Sequence, residues 1–397
     1  MAITVILGDP HVGRSLTLGR AGIGSELNSR VVDQLNILDW VLLKSIEEGA
    51  ENIIITGDVF EDTKPHPTLI ALFMSWLKSC SASDVSVHII QGNHDILRSG
   101  QFYVSALDVI SEAEIENVFV YKDIATIHTS GASFTLIPFR DRRSFDTSSN
   151  LEALSLLSSK FPYELAEINR NFHKVVIGHL TIDKAIPVGD EIDDLTNELF
   201  CPLEMFEGYD YVWMGHIHKP QILQKHPYIA HIGSMDLSNF SESEHTKLIT
   251  VFDSSKSQPF KYLEIPTRPL KQISISVPFD IVDSTNFVSN KILTSDSLSK
   301  AIIRLNVSFD NPGAISLDRK KIEEDLNSMG AFYISRIDEH RKISSIKKDE
   351  NNKIDNTITE GTAIKMYADM NIEEEMKSSF TTLANSLIKE FIAETDK

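Results

Sequence analysis

Cysteine is nearly absent: Cys80 and Cys201 are the only two in 397 residues, far apart and in no CxxC pair. A disulfide framework and a zinc knuckle are thereby excluded, and both thiols are expected in ordinary core positions. No stretch stays apolar over the roughly 20 residues that a membrane span needs, and MAITVILGDP at the start has no basic lead-in. The expectation is a soluble, cytoplasmic protein. A GxxxxGK[ST] phosphate loop and a GxSxG nucleophile elbow are also missing, so neither nucleotide binding nor serine-based covalent chemistry is expected of this chain. Basic residues are in deficit, 38 Lys and Arg against 57 Asp and Glu, for a formal charge of -19. That deficit argues against long-range attraction of nucleic acid, although cations held in a cleft would supply local positive charge. Between Ala185 and Ile217 there is no Lys or Arg at all, while Asp190, Glu191, Asp193, Asp194, Glu198, Glu204, Glu207 and Asp210 crowd the segment. It reads as a solvated insertion or a partner-facing acidic surface.

What is present is a set of five strand-like apolar runs that each stop at a glycine and hand over to a metal-ligand residue type: ILGDPH, IITGDVFE, IIQGNHD, VVIGHLT and WMGHIHK. Ala2 to Leu7, Asn52 to Thr56 and Val85 to Ile90 suit buried strands, and Val31 to Glu48 and Pro67 to Ser79 carry helical spacing, with Val32, Leu35, Leu38, Leu42, Leu43 and Ile46 as the apolar stripe of the first. Strands alternating with helices imply layered α/β packing. Later runs, FTLIPF, KVVIGHL, YDYVWMGH, YIAHIG and KLITVFD, form a second sheet in this reading, giving a two-sheet β-sandwich flanked by helices over residues 1–265. From Pro266 the pattern changes. Gln272 to Val277 and Ala301 to Val307 read as strands and Leu317 to Met329 as a helix, so 266–342 is expected to be a small α+β accessory domain. The polar, aromatic-free stretch 343–362 reads as a flexible linker, and 363–397 as a C-terminal helical segment with Met376, Phe380, Leu383, Leu387 and Phe391 on one face.

In open α/β sheets, functional groups gather at the carboxyl ends of strands. Asp9 and His11 are two residues apart, near enough to reach one ion after the strand turns; Asp58 suits a position between two ions; Asn93, His179 and His216 complete one site and His218 the other. Carboxylate, amide and imidazole together favour Mn or Fe, with Zn possible, over a thiolate-bound metal, and manganese is the first choice. Two such ions roughly 4 Å apart activate water and hold both oxygens of an in-line displacement.

The motifs GDPH, GDVFE, GNHD, GHLT and GHIH resemble those of the calcineurin-like metallophosphoesterase superfamily. Within it the resemblance narrows to the SbcD-type nuclease subunit of double-strand-break processing, and further to its phage recombination endonuclease form, through IPFRDR, GHLT and YIAHIGSMDLSNFSE. The resemblance implies the metallophosphoesterase fold and two divalent ions, Mn2+ foremost with Mg2+, Fe2+ or Zn2+ compatible. It also implies exonuclease and endonuclease cleavage of DNA, and a place in the host cytoplasm if a phage encodes the chain. By residue, it implies Asp9, His11 and His218 on one metal, Asn93, His179 and His216 on the other, Asp58 between them, and His94 on the scissile phosphate with Asp95 orienting its imidazole. The partners implied are DNA and an SMC-like coiled-coil ATPase held by the C-terminal helix, with a homodimer inside a heterotetramer. Arg98, Arg140, Arg142 and Arg143 are candidate phosphate contacts, and the accessory domain is expected to cap the site and bind DNA. The chain departs from the family pattern at Pro10 and at Glu61, where many members carry His or Asp. A phosphatase or cyclic-nucleotide phosphodiesterase on the same fold is the alternative.

Overall fold

The computed structural model describes residues 2–21, 26–97, 104–161, 169, 171–187, 197–295, 297–341, 368, 376–377 and 379–384. The chain divides into two compact units, Met1–Arg341 and Lys342–Lys397.

Two six-stranded sheets dominate the first unit. One has the order β14-β13-β1-β2-β3-β4, built from β1 (Ile3–Leu7), β2 (Ala50–Ile55), β3 (Ser86–Ile90), β4 (Val118–Tyr121), β13 (Leu248–Asp253) and β14 (Phe260–Glu264). The other has the order β11-β12-β10-β7-β6-β5, from β5 (Ala125–Thr129), β6 (Ala132–Ile137), β7 (His173–Gly178), β10 (Tyr211–Met214), β11 (Gln221–Lys225) and β12 (Tyr228–His231). A short pair, β8 (Thr181–Ile182) and β9 (Phe200–Cys201), sits between β7 and β10 in sequence.

Side chains alternate across a strand, and the two faces sort accordingly. Ile6, Ile54 and Ile90 point into a core shared with Phe134, Leu136, Val175, Ile177 and Trp213 of the second sheet. Their neighbours Val5, Leu7, Ile53, Ile55, Val87 and Ile89 pack instead on α1 (Ser29–Glu48), α2 (Pro67–Ala82) and α3 (Ala106–Glu112). The outer face of the second sheet, with Ile137, Val176, Val212 and Met214, is covered by α4 (Asn150–Ser158) and the segment around Phe206. The layers therefore run helix, sheet, sheet, helix, the expected α/β sandwich. Cys80 and Cys201 are buried free thiols, each pushed up to about 12 by burial.

The stripe of α1 differs from the expected one. Val31, Ile37, Leu38, Val41 and Leu42 are buried, whereas Val32, Leu43 and Ile46 are exposed. Apolar residues surround this helix on more than one side, and contact with α2 and the sheet decides which of them go inside.

Beyond β14, three parallel strands, β15 (Leu270–Val277), β16 (Ile302–Phe309) and β17 (Tyr333–Arg341), alternate with α5 (Ser284–Leu293) and α6 (Arg319–Ser328) around a core of their own. β17 and α5 escape the sequence reading because Arg336, Asp338, Glu339 and Arg341 make that strand look like a polar loop, and α5 is weakly amphipathic. Asp33 of α1 clamps Arg268 ahead of β15 at 2.5 and 2.8 Å, and the Arg268 guanidinium stacks on Phe332 at 3.6 Å. Residues 343–362 of the expected linker, and Leu387 and Phe391, lie outside the described residues; Phe380 and Leu383 fall in a helical stretch at 379–384, shortly after Met376.

Candidate metal centre

β1, β2 and β3 are mutually parallel, as are β7 and β10, and their carboxyl ends converge. Asp9 follows β1, Asp58 follows β2, Asn93 and His94 follow β3, His179 follows β7, and His216 and His218 follow β10. The loops after β1 and β2 are laced by His11 N donating to Asp58 O at 2.9 Å and Val12 N to Val59 O at 2.8 Å. Glycine is needed where loops meet this closely. A Cβ on Gly92 would overlap Asp58 Oδ1, and one on Gly215 would overlap Asp9 Oδ1.

The backbone is strained where the donors are mounted. His11, Asp58 and His216 adopt left-handed φ of 43°, 46° and 74°, a region that costs a non-glycine residue on the order of 1 kcal/mol. Ile217 N donates to Gly215 O at 3.0 Å, so His216 is the centre of a γ-turn.

Three sets have ligand atoms within 4.8 Å of one another: Asp9, His11 and His218; His11, Asp58 and His94; Asp58, His179 and His216. Asp58 Oδ2 is 3.2 Å from His179 Nε2 and 3.5 Å from His11 Nε2, which puts it between the outer groups. Asn93 Oδ1 lies 2.8 Å from His179 Nε2 and 2.9 Å from His216 Nδ1. His11 and His218 face each other Nε2 to Nε2 at 3.0 Å. Lone-pair atoms crowded onto common points repel unless something positive stands among them, and a pair of divalent cations fits this donor set of carboxylate, imidazole and amide.

Protonation states favour the same occupant. Burial would raise the Asp58 carboxyl, but the facing His179 and His11 imidazoles hold it well below the usual carboxylate range. Burial holds His11 low, and burial with the neighbouring His11, Arg14 and Lys247 charges drives His218 well below its ordinary value, so both imidazoles keep a lone pair. For His179, burial would lower the value, yet the charges of Asp58 and Asp9 lift it well above. A proton there stands where a cation would. Its Nδ1 is tied to Thr56 O at 2.9 Å, which presents Nε2 to the centre.

Around the donors lies a supporting set that the motif spacing does not reveal. Thr56 Oγ1 donates to Asp9 Oδ1 at 2.6 Å. Glu61 Oε2 is 3.0 Å from His11 Nδ1 and 3.6 Å from Arg14 Nε, and Arg14 Nη1 is 3.2 Å from His218 Nε2. Glu198, expected on a solvated or partner-facing acidic surface, is buried, with Oε1 3.1 Å from His216 Nε2 and accepting from Thr181 Oγ1 at 2.6 Å. Nothing in its spacing announces this; Thr56 and Glu61, by contrast, lie within the second motif, IITGDVFE.

Asp95, expected to orient the His94 imidazole, has its carboxyl on other partners. Asp95 accepts from Gly92 N at 2.9 Å and Val59 N at 3.1 Å, stapling the third motif to the second, while His94 Nδ1 contacts the Glu61 carbonyl at 2.5 Å. Burial and the nearby Asp58 charge push the Asp95 carboxyl up to about 7. The arginines expected on phosphates have local partners. Arg140 donates to Lys122 O and Phe139 O and pairs with Asp123, Arg142 donates to Asn197 Oδ1, and Arg143 pairs with Asp141. The half-buried guanidinium groups of Arg140 and Arg142 find their acceptors within the protein, while Arg143 is exposed. Arg98 lies outside the described residues.

A sandwich with a two-cation donor set at converging strand ends defines a metal-dependent phosphoesterase, and a family model of the calcineurin-like phosphoesterases matches residues 3–220. The chain belongs to that family. Among characterised proteins it is similar to the SbcD subunit of the SbcCD nuclease of Staphylococcus epidermidis, 23% identical over 360 residues, which covers 83% of this chain and 94% of that protein. Solved structures similar to it include a phosphopantetheinyl hydrolase from Mycobacterium tuberculosis (13% identity, TM-score 0.33, 59% of this chain and 90% of that one) and a dimetal phosphatase from Danio rerio (12% identity, TM-score 0.37, 66% and 98%). Among the described residues no helix is long and apolar enough to cross a membrane.

Proposed function

We propose that the chain is a DNA nuclease using two divalent cations, manganese foremost, and the catalytic subunit of a DNA end-processing complex with a coiled-coil ATPase. The observation that carries the hydrolytic part is the convergence of Asp9, His11, Asp58, Asn93, His179, His216 and His218 with His94 beside them. The nuclease part is supported by likeness to a nuclease subunit over nearly the whole of both chains.

When bound, the cations supply Lewis-acid charge and a nucleophilic water. His94 is held by its own amide on Asp58 Oδ1 at 2.8 Å and by Nδ1 on Glu61 O, which leaves Nε2 for a substrate oxygen. Burial opposes its charged form, but Asp58 and Glu61 raise its value above the ordinary range, suiting it to donate a proton to the leaving oxygen. A groove that shares Ser15 and Ser238 with the loops around Asp9 and His11 is lined by Leu18, Phe240 and Leu270 together with Lys271, Gln272 and Arg304, and in this reading a strand of DNA would lie along it.

The ATPase, homodimer and C-terminal docking belong to this same reading. The test is cleavage of end-labelled DNA by the full chain with Mn2+, Mg2+ or Zn2+, alone and with the ATPase, beside hydrolysis of a small phosphodiester. Mn2+-dependent DNA cleavage is expected; rapid turnover of the small ester with DNA left intact would replace the nuclease with a phosphatase.

A further inference from the structure

Lys247 is the sole buried lysine among the described residues, 1% exposed at the foot of β13, and its partner Glu242 is 0% exposed. The ammonium spends its donors on three acceptors: Glu242 Oε2 at 2.7 Å, Ser234 Oγ at 2.7 Å and the main-chain oxygen of His218 at 2.9 Å. Glu242 in turn accepts from Asn239 Nδ2 at 3.1 Å and from Ser238 Oγ. Ser234 N also donates to His218 O, at 3.2 Å, and Met235 N donates to Asp9 O at 2.9 Å. The segment from Ser234 to Lys247 thus grips the main chain of the fifth motif and of the first.

Burying an ion pair is a poor way to gain stability, since desolvation of both ions offsets most of their attraction and apolar residues of similar volume often do as well. Removing the pair's donor, however, would take from the His218 carbonyl its shorter hydrogen bond and leave it on the 3.2 Å bond from Ser234 N, and the His218 ring stands at the His11 side of the centre, 3.0 Å from His11 Nε2. We propose that Lys247, held by Glu242, is a positioning residue for His218 and sets the affinity of the cation site formed by Asp9, His11 and His218, leaving the site of Asn93, His179 and His216 largely untouched. This rests on the two-cation reading above.

The test is Mn2+ binding to the full chain, followed by calorimetry and by electron paramagnetic resonance, in the wild type and in the Glu242→Gln/Lys247→Met double variant, which strands no lone buried charge. Outer-shell partners typically contribute roughly 10–100-fold to metal affinity. The expected result is a loss of that size for one Mn2+ equivalent, near-normal affinity for the other, and replacement of the spin-coupled pair signal by that of isolated Mn2+. Ser234→Ala removes one acceptor of the ammonium without burying an unpaired charge, so it decides the matter if the double variant does not fold; a smaller loss confined to the same equivalent is expected. Wild-type affinity at both equivalents in either folded variant would overturn the proposal, and so would an equal loss at both. A wild-type chain that binds no cation would instead sink the two-cation reading itself.

Discussion

His94 and Glu61 are joined through the main chain, with imidazole Nδ1 2.5 Å from the Glu61 carbonyl oxygen, so the tautomer of His94 does not depend on which side chain position 61 carries. A residue at 61 can vary while the imidazole stays aimed. His94→Gln should therefore lower the rate of phosphodiester cleavage by roughly 10²–10⁴-fold, the usual contribution of a general acid, with Mn2+ affinity nearly unchanged. Steady-state kinetics beside calorimetry checks this, and an unaltered rate would remove His94 from the chemistry.

Glu198 reaches His216 Nε2 from the far side of the centre. Glu198→Gln keeps the shape and removes the charge that steadies the imidazole, so it should weaken one Mn2+ equivalent by about tenfold or more. Calorimetric titration of the variant measures it; unchanged binding would leave Glu198 with a purely structural task.

Cation binding should expel a proton. His179 holds one because Asp58 and Asp9 outweigh the opposing effect of burial, and a ligand nitrogen has to give it up. Affinity should accordingly rise with pH, and titrations in buffers of different ionisation enthalpy should reveal proton release. Binding independent of pH between about 6 and 8 would contradict this.

Away from the centre, His88 is buried between Tyr121 and Asn52, and burial lowers its value from 6.5 to about 4. Because the folded-state value is depressed, the unfolded chain takes up the proton first as pH falls. The neutral imidazole's stability is therefore complete above about pH 6.5 and is lost on the way down to about pH 4. At most about 3 kcal/mol is involved. Chemical denaturation near pH 7 and pH 4.5 should show a smaller fall for His88→Gln than for the wild type; equal falls would contradict the assignment.

Much of the centre was legible because Asp9, Asp58, Asn93, His179 and His216 each follow a glycine, and the packing requires these glycines, as Gly92 shows against Asp58 and Gly215 against Asp9. The sandwich was legible for a related reason: Ile6, Ile54 and Ile90 sit in short apolar runs whose alternate members face different layers. Glu198 and Lys247 were not legible, because each reaches the centre across a long loop and has no periodic neighbour to mark it. The exposed Val32, Leu43 and Ile46 show the converse, that an apolar residue on a helix announces hydrophobicity and leaves its direction to the packing. Asp95 adjoins His94 in sequence, yet its carboxylate turns to the amides of Gly92 and Val59.

The number of Mn2+ ions bound per full-length chain tests the central claim most directly. Two are predicted for the wild type, with binding at both sites weakened in Asp58→Asn because Asp58 Oδ2 faces both His11 and His179. A wild-type chain that binds none, or an Asp58→Asn variant that binds both as tightly as the wild type, would contradict it.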